Sequence, residues 1–152
     1  TGYLLHFTTI LDVYEEPDDE VTSEAENYDE SFWRKKSAET LNAAQEIFTA
    51  TSSIYDNSRL GFCKYSVNIV RDGYNQMIVR RRSGGNVLVE LRYGSKRDEI
   101  AQLLESRSIQ YNDKYKHFVF SLSVSRIAQE TELFQRIAEL NNQWWVTAGD
   151  AG

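Results

Sequence analysis

The chain has 152 residues, 41% of them hydrophobic, and a mean hydropathy of −0.54. That is enough for one core, and no run approaches the ~20 apolar residues of a membrane helix. A lone cysteine, Cys63, excludes an internal disulfide framework and fits a reducing, cytoplasmic compartment, while Cys63, His6 and His117 are too scattered to build a zinc site.

The net charge of −6 conceals an asymmetry. Residues 1–33 hold ten acids and no Lys or Arg, leaving 13 acids against 17 basic residues over 34–152. Residues 3–14 alternate between two faces, as a strand does, and lack the basic flank and cleavage site of a secretory signal. Starting at Thr1 rather than Met, this stretch is expected to be the trailing strand of a missing upstream domain. Residues 15–28, with the only proline, are acidic and poor in large apolar groups, so they read as a linker. A single α+β domain is then expected over 29–146, with a flexible tail at 147–152.

Asp29-Glu30-Ser31-Phe32-Trp33 opens a short helix with acids at its positive end and Arg34, Lys35 and Lys36 near its close. Ser37 caps a second helix to about Ser52, with Leu41, Ala44, Ile47, Phe48 and Thr51 on one stripe. Period-two patterning predicts strands over 64–70, 76–82 and 86–93, joined by Asp72-Gly73 and Gly84-Gly85 as an antiparallel meander. A helix over 95–107, a strand over 117–124 and an amphipathic helix to about Trp144 complete the order α-β-β-β-α-β-α. Tyr65, Val67, Ile69, Met77, Val79, Val87, Val89, Leu91, Phe118, Phe120 and Leu122 are expected to face helices covering one side of the sheet. Asn68, Arg80, Arg82, Glu90, Arg92, Ser121 and Ser123 should line a half-solvated second side.

The segment Asp29 to Leu41, the strand around Lys64-Tyr65-Ser66-Val67, the arginine strand, Val87-Leu88-Val89-Glu90-Leu91-Arg92 and the terminal helix resemble a module found at the C-terminus of a group of uncharacterised bacterial proteins. The resemblance covers about residues 28–145. It implies an accessory domain behind another domain, sometimes nuclease-like, and carries no catalytic residues with it.

No catalytic residues are assigned. Neither histidine has a serine elbow nearby, and Gly84-Gly85 lacks phosphate-loop spacing. No cofactor is expected. Three functions remain. Arg71, Arg80, Arg82 and Arg92 could form a platform for the phosphates of nucleic acid, with Tyr74 or Tyr93 stacking at its edge. Arginine stems also cover exposed sheets without any ligand, which is the bland alternative to the platform. Alternatively, Trp145 could anchor docking to the upstream domain or to a second copy. Third, Asp72, Glu90 and Arg92 could be a degenerate metal-dependent nuclease site, although Asp72 suits a turn and Glu90 suits cross-strand pairing.

Overall fold

In the computed structural model, which describes residues 28–151 and their side chains as far as residue 142, Asp29 accepts a hydrogen bond from the Phe32 amide (2.8 Å) and opens α1 (Glu30–Thr51). The two expected helices form one run broken at Ser37 (φ −162°, ψ 92°), whose Oγ accepts from the Thr40 amide at 3.2 Å. Ser37 therefore caps the second segment, and the kink turns the first toward the sheet. The expected strand at 3–14, the linker before Tyr28 and the side chain of Trp145 lie outside the described residues.

The sheet contains β1 (Ser58–Phe62), β2 (Ser66–Arg71), β3 (Tyr74–Arg81), β4 (Asn86–Arg92), β5 (Asn112–Lys114) and β6 (His117–Ser123). All neighbours are antiparallel, in the order β1-β2-β3-β4-β6-β5. Asp72 (φ 52°) and Gly73 (φ 83°) both adopt the positive φ that a two-residue hairpin requires. The other helices among the described residues are α2 (Arg97–Ser106), α3 (Val124–Gln129) and α4 (Thr131–Ala151). The α+β class and the element order are as the sequence implies, with β1 and β5 added.

Helix α1 crosses β1 to β4, α3 meets β6, and α2 and α4 pack together. Between helices and sheet, Leu41, Ala44, Ile47, Val67, Ile69, Met77, Val89, Leu91, Phe118, Phe134 and Ile137 are buried. Tyr65 departs from its expected core position: it sits in the β1–β2 turn, 46% exposed.

The second side of the sheet also differs from expectation. Ser66, Asn68, Val70, Ile78, Arg80 and Glu90 are buried, so its middle is not half-solvated. Val70 and Ile78 explain the departure: Ile69-Val70 and Met77-Ile78-Val79 are continuous apolar runs, the pattern of strands buried on both faces.

Candidate nucleic-acid interface

Alternation along β3 sends Arg80 and Arg82 to one side and Arg81 to the helix side. Arg80 retains 6% of its exposure, whereas Arg82, just past the end of β3, is exposed. Arg92 lies at the far end of the antiparallel neighbour β4, partly buried, with Nε donating to the Asn75 carbonyl at 2.9 Å. From Asn75 to Arg82 the strand spans roughly 23 Å at ~3.3 Å per residue. Arg71 is buried on the helix side, its guanidinium 5.2 Å from the ring centre of the core residue Tyr55. The four arginines are thus separated by strand position, face and burial, which corrects the expected single platform.

The two tyrosines are similarly divided. Tyr74 is 56% exposed at the β2–β3 turn. Tyr93 packs 4.7 Å from Phe118, donates to Asp113 Oδ1 (3.0 Å) and accepts from the Lys116 amide (3.1 Å). Its ring is a structural clasp between the ends of β4, β5 and β6.

Asp72, in the β2–β3 turn, and Glu90, opposite Ile78, are separated by more than ~13 Å of strand. Glu90 is 3% exposed and receives Lys114 Nζ at 3.2 Å, so it serves as a cross-strand ion pair. Among the described residues, no group of three His, Cys, Asp or Glu is placed to hold a metal.

The structure does bring together a set of cations that patterning had not grouped. The kink at Ser37 brings the start of α1 beside the β1–β2 turn and the end of β3. Lys36 Nζ donates to the Lys64 carbonyl at 2.5 Å and lies 4.9 Å from Trp33, 5.1 Å from Tyr65 and 5.5 Å from Phe32, measured to ring centres. Burial lowers the Lys36 ammonium pKa, and the nearby charges of Lys64 and Arg81 lower it further. Lys35, Lys36, Lys64, Tyr65 and Arg81 are all exposed. A shallow cleft of about 530 Å³ runs beside them, lined by Tyr28, Ser31, Phe32, Lys35, Lys36, Lys64 and the capping carboxylate of Asp29. Cations and aromatic rings alternate here over a short distance. The sequence signal was present as Phe32-Trp33-Arg34-Lys35-Lys36 and Lys64-Tyr65, but their approach depends on residues 28 positions apart.

At the other end of the sheet, His117 pairs with Arg92 across β4 and β6 and lies near Glu90 and Lys114. Burial lowers its pKa below 6.5, and Arg92 and Lys114 act in the same direction, against the Tyr115 carbonyl and Glu90. Above pH 6.5 His117 is neutral in both folded and unfolded chains; below it the unfolded chain takes the proton first, so stability falls with acidification. Thermal unfolding should therefore show a smaller loss of stability from neutral to mildly acidic pH in His117→Gln than in the parent chain. Parallel profiles would exclude that contribution.

No family model, curated protein or solved structure matches the chain. Fold and site together define the described residues as an α+β fold in which the kinked helix α1 joins an antiparallel sheet at a cation-rich, aromatic end. Among the described residues, no helix is long and apolar enough to cross a membrane.

Proposed function

We propose that the chain is a non-catalytic accessory domain of a larger cytoplasmic protein and that it contacts nucleic acid through Lys35, Lys36, Lys64, Arg81 and Tyr65. The observation that supports this reading is the convergence of lysine and arginine charges around an exposed tyrosine. Such crowding raises the cost of the Lys36 charge in the free protein, and a phosphate backbone would offset it. Tyr65 adds a flat surface on which an unpaired base can stack, so a single strand fits better than a duplex. The contact lies at the end of the sheet; the flat face, with Arg80 buried, supplies less charge to solvent.

Fluorescence anisotropy of a labelled oligothymidylate, titrated with the full chain across a salt series, tests the proposal. Lys36→Gln/Lys64→Gln/Arg81→Gln should weaken binding at low salt at least tenfold and reduce the log–log salt slope by about 2, since each phosphate contact contributes ~0.7. Tyr65→Ala should cost about 1–3 kcal/mol of affinity and leave that slope nearly unchanged. Binding that is absent at about 20 mM salt, or that survives the triple substitution, rejects the assignment.

A further inference from the structure

The ladder between β4 and β6 fixes which way the β6 backbone points. The Val124 amide donates to the Gly85 carbonyl at 3.1 Å, and at the opposite end the Tyr93 amide donates to the Lys116 carbonyl at 3.2 Å. Antiparallel strands bond at alternate residue pairs, so the pairs between these two ends are Val87 with Leu122, Val89 with Phe120, and Leu91 with Phe118. The intervening residues His117, Val119, Ser121 and Ser123 turn their N–H and C=O groups to the outer edge. Strand β5 covers that edge only as far as Val119, which lies opposite Asn112. Ser121, the next outward residue, is exposed, and among the described residues nothing pairs with its backbone.

That uncovered edge borders a cleft of about 590 Å³ between β6 and the segment linking α2 to β5. Leu88, Val119, Phe120 and Ile109 supply its apolar walls, and the exposed Arg82 supplies its cation. Its one carboxylate, Glu105, already accepts a hydrogen bond from the Tyr111 hydroxyl at 2.5 Å.

We infer that the cleft along Ser121 binds an extended peptide of another chain, which continues the line of β5 and carries an apolar and an acidic side chain two residues apart, both on the second face of the sheet. Ser121 offers the main-chain donor and acceptor that an added strand needs, and strand addition draws its affinity from such bonds. Leu88 and Val119 take an apolar side chain on the second face of the sheet. Arg82, on that same face, selects a carboxylate over an ammonium group at the position two residues along. This surface is separate from the nucleic-acid contact, so either assignment can fail without the other.

The test uses the full chain, a capped peptide with valine and aspartate two residues apart, its valine–lysine counterpart, and an aspartate version carrying N-methyl groups on the edge that would meet β6. The aspartate peptide should bind and slow hydrogen exchange at the Ser121 amide about tenfold or more, with at least tenfold preference over the lysine peptide. Arg82→Gln should reduce that preference to about twofold. Ser121→Pro should abolish binding and keep the fold, because the N–H it removes belongs to no ladder bond. The N-methylated peptide, which challenges the unaltered protein, should not bind. Equal binding of that peptide, or unchanged exchange at Ser121, overturns the inference. Protection that rises with protein concentration in the absence of peptide overturns it as well, by assigning the edge to a second copy.

Discussion

Replacing Trp33 with alanine should destabilise the domain by on the order of 3–5 kcal/mol in denaturant unfolding, the range for deleting a fully buried aromatic side chain. Trp33 is 0% exposed, and its indole Nε1 donates to the Cys63 carbonyl at 2.7 Å. It is therefore both core volume and the hydrogen-bonded fastening between the first segment of α1 and the β1–β2 turn. Trp33→Phe keeps much of the packing and removes the indole's hydrogen bond to the Cys63 carbonyl, so a smaller loss of about 1–3 kcal/mol is expected. Because Lys36 reaches Lys64 across this same junction, Trp33→Ala should also weaken oligothymidylate binding under conditions where the variant remains folded. A loss below about 1 kcal/mol would show that the junction is held by other contacts.

Asn141→Ala is the second substitution with a large expected effect. Asn141, buried on α4, accepts a hydrogen bond from the Tyr55 hydroxyl through Oδ1 and donates to the Arg92 carbonyl through Nδ2 at 2.9 Å. One amide thus clips the last helix both to the connection after α1 and to the end of β4. Burial raises the Tyr55 phenol pKa well above its usual 10, which keeps the hydroxyl protonated as a donor through the whole neutral range. Truncation leaves up to two buried groups without their partner, at about 1–3 kcal/mol each, and a loss of roughly 2–4 kcal/mol is expected. Tyr55→Phe alone should cost less, and the double substitution should cost less than the sum of the singles because the two share one bond. Full additivity would show that the hydroxyl–amide contact contributes nothing measurable.

These two contacts show where a linear reading stops. Ser37 was legible as a cap because its hydrogen-bonding partner is three residues away. Asp72-Gly73 was legible because both positive φ values belong to adjacent residues. By contrast, β5 is the three-residue strand Asn112-Asp113-Lys114, too short and polar to show periodicity, and exists because β6 returns beside it. In β1, Ser58 to Phe62, only Leu60 and Phe62 are large and apolar, and they are expressed as a strand through pairing with β2. The clip at Asn141 joins residues 86 and 49 positions away, which no local pattern encodes.

The candidate site divides in the same way. Alternation correctly separates Arg80 and Arg82 from Arg81, but it carries no information about position along the neighbouring strand or about depth. Arg92 therefore shares a face with Arg82 and lies at the opposite end of the sheet, while Arg71 is buried over Tyr55. The approach of Lys36 to Lys64 and Arg81 follows from the kink and from the packing of Trp33.

The sequence by itself determined the α+β class, the element order, the helix cap and the first hairpin turn, because side-chain periodicity and backbone preference act between residues a few positions apart. Only the tertiary structure decided which charges meet, which arginines are buried and where, among the described residues, β6 is left without a neighbour. Those outcomes depend on the distances and directions between elements, which are set when the whole core closes.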